Sequence, residues 1–283
     1  MKIRRILALA CAATLGPGAL ALGIAYHQTE SGISAHHDRV RADSLTAKAP
    51  PPLEGLEALP TPVQRYLRYA FPQGVPAATH VEMQMQGNFR RPGTESFAPT
   101  SASQTAATRT PAMAFDATTP IVPGIWARAY DAYANGQMEM KARILSAITV
   151  VDEHSSPELN RISLRRWLLE SPTYPQALLP GGVVRWEPVD DRTARAVATD
   201  RGMTTSLLAR FGDDGRLASF QAEEDGDLTT SYHGSGEHVA RSDYRLVQGI
   251  RVPMGFTISR MAKGRIMPFW EGRITSIRFA LPS

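Results

Sequence analysis

The sequence predicts a mainly β, α+β fold: a large curved antiparallel sheet or half-barrel of about ten strands with two covering helices, preceded by an N-terminal apolar helix. Three observations support this prediction. The period of the apolar residues changes from helical before His80 to alternating after it. The later strand-like segments show no βαβ alternation. Asn135-Gly136 and Asp214-Gly215 stand between such segments, and both dipeptides favour the tight turns of antiparallel hairpins.

The two covering helices are predicted from their apolar spacing and from the residues at their ends. The first has Thr61 as its predicted N-cap and Pro62 as its first helical residue, and it ends at Phe71-Pro72. The second covers roughly residues 156–170, begins after a capping serine and ends before Pro172. Among the strand candidates, residues 137–149 form one continuous segment and residues 228–233 form another.

A sheet of this size must protect its edge strands and cover its apolar face. Rolling it into a barrel or half-barrel, with the two helices on the concave side, satisfies both needs. Such a shape is expected to enclose an apolar cavity. A solid sandwich without a cavity is the alternative, and periodicity alone does not separate the two.

The N-terminal segment, residues 1–26, has the pattern of a signal peptide or membrane anchor. Lys2, Arg4 and Arg5 precede an uncharged apolar run, and Ala19-Leu20-Ala21 has the form of a cleavage site. Residues 27–59 are predicted to form a Pro-containing linker, and residues 60–283 a single β-rich domain. We therefore expect an exported protein on the periplasmic side of the inner membrane, either anchored there or soluble after cleavage.

The composition and the motif search narrow the function by exclusion. Without Lys2, Arg4 and Arg5, 28 of the 31 basic residues remain against 27 acidic ones, which argues against a nucleic-acid partner. No metal, cofactor or catalytic motif is recognised. The acidic run from Glu223 to Asp227 is interpreted as a solvated turn, and His233 and His238 as structural residues. We expect no cofactor, no metal site and no assigned catalytic residue.

Five residues are candidates for ligand binding. Glu170 ends the second predicted helix, where burial under the following connector favours a proton donor or a ligand anchor, although a structural ion pair with Arg165 or Arg166 explains it as well. The four tryptophans are interpreted either as the lining of an apolar cavity or as core residues. They are Trp126, Trp167, Trp186 and Trp270.

Several motifs together carry a family resemblance over roughly residues 60–279. They are the QRYLRY helix, the arginine-aromatic-leucine-x-glutamate run from Arg166 to Glu170, and Leu178-Leu179-Pro180 with Trp186-Glu187-Pro188. In these the chain resembles a bacterial family of exported or membrane-anchored proteins that is catalogued as a domain of unknown function. Relatives tend to have tyrosine at the position of Trp167. The coarse architecture is also similar to that of outer-membrane lipoprotein carriers, which is an analogy of fold only.

The expected function is that of an envelope protein which binds a lipid or another apolar small molecule in a half-barrel cavity without catalysis. Its expected partners are that molecule and, through the N-terminal segment, the inner membrane. Two alternatives stay open. One is a hydrolase or isomerase that uses Glu170, and the other is a protein-interaction module at the membrane surface.

Overall fold

The computed structural model describes residues 2–46, 53, 55–90, 94–226, 228 and 236–281, with side chains described from residue 18 onward. These described residues form three α-helices: α1 (Lys2–Ser44), α2 (Thr61–Ala70) and α3 (Pro157–Glu170). Short 3-10 helices cover Leu56–Ala58, Ser171–Thr173 and Pro175–Leu178. We call residues 171–180, which follow α3, the connector.

Thirteen strands form one antiparallel sheet, whose order is β6-β5-β4-β3-β2-β1-β13-β12-β11-β10-β9-β8-β7. The sheet is open, with β6 and β7 as its edge strands. The strands are β1 (His80–Arg90), β2 (Phe97–Ala107), β3 (Met113–Val122), β4 (Ile125–Ala134), β5 (Gln137–Ile144), β6 (Ile148–His154), β7 (Val184–Asp190), β8 (Thr193–Asp200), β9 (Met203–Phe211), β10 (Leu217–Gln221), β11 (His238–Val247), β12 (Ile250–Ala262) and β13 (Arg265–Ala280).

The prediction of a mainly β, antiparallel fold is confirmed, but the number of strands is larger than the ten expected. Part of the difference is the segment 137–149, which divides into β5 and β6 at a turn. Leu145 and Ser146 have φ values of 56° and 55°, a conformation in which a strand cannot continue. The strand expected at residues 228–233 lies, apart from residue 228, outside the described part of the chain.

The sheet wraps around α3. On one side this helix contacts β4 and β5, and on the other it contacts β8 and β9. In a flat sheet β4 and β9 would lie about 38 Å apart at the usual strand spacing, whereas a helix is only about 10 Å wide. The hydroxyl of Tyr133 in β4 also lies 3.4 Å from Asp200 Oδ2 in β8. Contacts between such distant strands require the sheet to bend.

The bend coincides with irregularities in the central strands. The pairing shifts by one residue between Gln84 and Met85 in β1 and again between Ile258 and Ser259 in β12. Gly87 lies opposite Gly272 across the β1–β13 pair, and a Cβ atom on either glycine would collide with the backbone of the other strand. Bulges and paired glycines let a sheet bend sharply at such points.

Helix α1 packs against the outer face of β1 to β4. Residues 27–44 are helical, whereas the sequence predicted a linker over residues 27–59. Its contact with the sheet is largely polar. Thr29 Oγ1 donates to Ser146 O at 2.5 Å, and His37 Nε2 lies 2.9 Å from Asp116 Oδ1. A small apolar cluster completes this contact; its buried members are Val40, Ala107, Ala112 and Ala114.

The main core lies between the inner face of the sheet, α2, α3 and the connector. Trp167 is fully buried there, and its ring lies 6.0 Å from that of Tyr174 in the connector. Trp167 Nε1 donates to Ala107 O at 3.3 Å, and Tyr174 Oη donates to Trp167 O at 2.6 Å. The predicted second helix is confirmed, with Ser156 as its N-cap, since Ser156 Oγ accepts from Leu159 N.

Candidate functional site

Six buried or nearly buried charged residues surround the C-terminal half of α3, and three are positive and three negative. Arg165, Arg166 and Glu170 belong to α3 itself. The other three are Asp131 in β4, Glu237 just before β11, and Arg241 in β11. We call this set the charge cluster. Its charges balance, as buried charges must when water is excluded.

Arg166 is the centre of the charge cluster. Its Nη1 lies 2.7 Å from Asp131 Oδ2, and its Nε lies 2.9 Å from Glu170 Oε1. Burial opposes the charge of the guanidinium, but the two carboxylates outweigh this effect, and the pKa of Arg166 is raised. Burial raises the pKa of Asp131, although Arg166 partly offsets this. Gln104 Nε2 donates to the second oxygen of Glu170 at 2.5 Å.

Arg165 and Glu237 form a second buried pair, with Arg165 Nη2 3.0 Å from Glu237 Oε1. Glu237 also accepts from the backbone N–H of Met261 at 3.0 Å, which ties α3 to β12. Burial lowers the pKa of Arg165, and Glu237 partly offsets this. Both oxygens of Glu237 therefore have donors within the structure.

Arg241 is the member of the charge cluster that is least well paired. Its Nη2 donates to Leu169 O at 3.2 Å, whereas its Nε has no hydrogen-bond partner. Among the described residues no carboxylate lies within ion-pair distance of its guanidinium. Burial lowers the pKa of Arg241, and the more distant Glu170 raises it only in part. A buried guanidinium of this kind favours an additional anion or acceptor nearby.

Arg241, Glu170, Gln104 and Thr173 form the polar side of a small cavity. Its apolar side comes from β1, β12 and β13, and consists of Met83, Met85, Phe256, Ile258 and Ile274. The cavity volume is about 20 Å³, which accommodates roughly one water molecule. At this place α3 and the connector occupy the concave side of the sheet, where a larger apolar hollow was expected.

The structure brings one of the five predicted ligand-binding residues, Glu170, to the lining of this cavity. The ring of Trp270 is not part of the lining, but it lies 5.3 Å from the ring of Phe256, which is. Trp167 is buried in the core, as described above. Trp186 packs against Phe211 and Phe220, and Trp126 lies at the β3–β4 turn. The four tryptophans therefore do not converge on one cavity.

The acidic residues before β11 are bound to neighbouring groups. Glu223 pairs with Arg195, Glu224 pairs with Arg161, and Asp225 Oδ1 accepts from Lys263 N. Asp227 and His233 lie outside the described residues. Within the part of the chain that the structure describes, no group of three or more histidine, cysteine, aspartate or glutamate residues is arranged to hold a metal ion.

Sequence reasoning missed Asp131, Gln104 and Arg241. Two of them carry a signal in the strand alternation. Asp131 shares a face of its strand with Ala129 and Tyr133, and Arg241 shares one with the fully buried Val239. A charged residue in the inward phase of a strand predicts a buried partner, but it does not say which one.

The fold and the site define a class of protein: an open antiparallel sheet bent around a helix that carries a buried, charge-balanced cluster beside a small cavity. The model of a family of unknown function, DUF6920, matches residues 57–279, and the chain belongs to this family. No curated protein and no solved structure matches the chain. Within the described residues, no helix has both the length and the apolar character needed to cross a membrane.

Proposed function

We propose that this protein is a non-catalytic, envelope-localised binding protein whose ligand is an amphipathic molecule with an apolar chain and an acidic group. The observation that carries the proposal is the buried Arg241, whose Nε lacks a partner at the polar side of an otherwise apolar cavity. A carboxylate or phosphate in the cavity would accept a charge-assisted hydrogen bond from that Nε.

The apolar side of the cavity suits the chain of such a ligand. Met83 and Met85 line it together with Phe256, and methionine side chains adopt new rotamers at little cost. In the present conformation the cavity is too small for an acyl chain, so binding requires these side chains to move outward. The ring of Trp270 packs against that of Phe256 in a tilted arrangement and adds apolar surface next to the cavity.

The proposed localisation is supported by the sequence of the N-terminal segment and by the exposure of the helix that follows it. Leu20, Leu22, Ile24 and Tyr26 are all exposed on α1. Large apolar residues in such number on one exposed helical segment indicate contact with a membrane or another apolar surface.

Binding assays with paired probes test the proposal. A fluorescent fatty acid and the corresponding fatty alcohol are titrated into the full-length protein and into Arg241→Met. We expect the variant to bind the acid at least about tenfold more weakly, since a lost charge-assisted hydrogen bond costs about 1.5–3 kcal/mol. Binding of the alcohol is expected to change little, because it does not use the guanidinium charge.

Arg245→Met is the matched control. Arg245 lies on the same strand, but it is exposed and pairs with Asp243. This variant should bind both probes like the unchanged protein, and mass spectrometry of natively purified protein should detect an acidic amphiphile. If neither probe binds and no lipid co-purifies, the proposal is wrong.

An acid–base enzyme that uses Glu170 has less support. Both oxygens of this carboxylate already accept hydrogen bonds, one from Arg166 and one from Gln104. No described histidine is bonded to Glu170. Glu170→Gln would keep the shape of the side chain while removing its charge, and loss of a measured turnover in this variant would favour the enzyme instead.

A further inference from the structure

One end of the sheet carries a concentration of exposed apolar residues. The β3–β4, β5–β6 and β12–β13 turns lie at this end, together with the start of β2. Six of the exposed large apolar side chains described outside α1 are found there. We call this surface the apolar rim. Its members are Phe97, Val122, Ile125, Ile148, Val150 and Ile266.

Helix α1 leaves the sheet at the same end. Thr29 and Glu30 are bonded to Ser146 at the β5–β6 turn, and Glu30 also pairs with Arg128. The helix continues from there toward its N-terminus, and Leu20 lies nine residues beyond Thr29, about 14 Å further along the axis. The exposed apolar residues of α1 therefore project past the apolar rim on the same side of the molecule.

The charges at the turn between β12 and β13 fit an anionic surface. The turn between β12 and β13 exposes Lys263 and Arg265 next to the apolar Ile266. Basic side chains flanking exposed apolar ones are typical of protein segments that lie at the headgroup region of anionic lipid.

We propose that the apolar rim is a docking surface for an anionic lipid bilayer. The exposed segment of α1 and the strand turns enter the same interface, so that the sheet stands with this end against the membrane. The inference deepens the proposed function, on which it rests in part, because a protein that takes up an amphipathic ligand gains from contact with the bilayer that holds it.

Site-specific labelling of the full-length protein tests the orientation. Cys11, the only cysteine, is changed to serine, and a single cysteine is introduced as Val122→Cys at the apolar rim or as Val189→Cys at the opposite end. The two valines are similarly exposed, at 51 % and 46 %. An environment-sensitive dye on each cysteine then reports contact with vesicles that contain phosphatidylglycerol and brominated acyl chains.

We expect a blue shift and several-fold stronger quenching for the dye at position 122, with little change at position 189. The effect should weaken with purely zwitterionic vesicles. If vesicles bind the protein but neither dye responds, or both respond equally, the rim is not the contact and the inference is wrong. The fatty-acid titration with Arg241→Met does not depend on vesicles, so failure of the docking surface is distinguishable from failure of the ligand site.

Discussion

The two faces of the sheet hold their helices in different ways. On the inner face, α3 is surrounded by apolar core, and its charged residues pair with carboxylates that are themselves buried. On the outer face, α1 is held mainly by hydrogen bonds and ion pairs, with one small apolar cluster. From this difference we expect α3 to unfold with the core, and α1 to open separately in a way that depends on solution conditions.

The largest effect is expected in α3, where a buried arginine can be compared with one that pairs at the surface. Arg166→Leu leaves Asp131 and Glu170 buried without their shared partner, and should lower the free energy of unfolding by about 3–5 kcal/mol. Arg161→Leu removes an arginine from the same helix that pairs with Glu224 at the surface, and should cost at most about 1 kcal/mol. Urea unfolding measures both values.

The large effect of Arg166→Leu is expected because Asp131 and Glu170 stay buried as unpaired charges, and not because the ion pairs themselves contribute much stability. Replacing the three charged residues together, as Asp131→Leu, Arg166→Met and Glu170→Met, should recover most of the stability. Equal stability of Arg166→Leu and Arg161→Leu would show that water reaches the charge cluster, and the contrast between the two faces would then fail.

A smaller effect is expected on the outer face. His37 bridges Thr105 and Asp116 through its two ring nitrogens, at 2.8 and 2.9 Å. His37→Ala leaves Asp116 with its bonds to Arg128 and Ser103, and should cost about 1–3 kcal/mol. Hydrogen exchange should accelerate in residues 29–44 and stay unchanged in α3.

Asp38→Ala serves as the control for His37→Ala, since Asp38 lies on the same helix with an exposed side chain. Its exchange rates should match those of the unchanged protein. If His37→Ala accelerates exchange in α3 as much as in α1, then α1 is part of the cooperative core after all.

The contrast between the faces also explains what the sequence could predict. The alternation of apolar residues in the strands and the apolar stripe with Ser156 as its cap are local patterns, and they located most strands and α3. Helix α1 was missed beyond residue 26 because its buried stripe is largely polar. The stripe has helical spacing and consists of Thr29, Ile33, His37, Val40 and Ser44.

The cavity was the least predictable part. Glu170 was identified at its position on α3, but Gln104, which donates to it, comes from β2, 66 residues away. Asp131, which pairs with the neighbouring Arg166, comes from β4, 35 residues from that arginine. Periodicity fixes which side chains face inward, but it does not fix how far the sheet bends, and the bend decides whether the interior is open or filled.

The smallest expected effect is the pH dependence of the outer face. Burial lowers the pKa of His36 below its usual value of 6.5, and the charge of Glu139 offsets this only in part. Burial also lowers the pKa of His80, and the charge of Glu82 offsets that only in part. In both cases the unfolded or undocked chain binds the proton more tightly than the docked one. The contribution of these two histidines to the packing of α1 against the sheet is therefore complete above about pH 6.5, and it is lost as the pH falls below that value.

Hydrogen exchange in residues 29–44, followed from pH 7.5 to pH 5.5 with correction for the intrinsic rate, should show the opening free energy of α1 falling as the pH decreases, while that of α3 stays nearly constant. His36→Phe with His80→Gln should flatten this slope. His154→Gln should not, because His154 is exposed and pairs only with Asp152 at the surface. A slope that survives the double variant would show that His36 and His80 do not carry the pH response of the α1 contact.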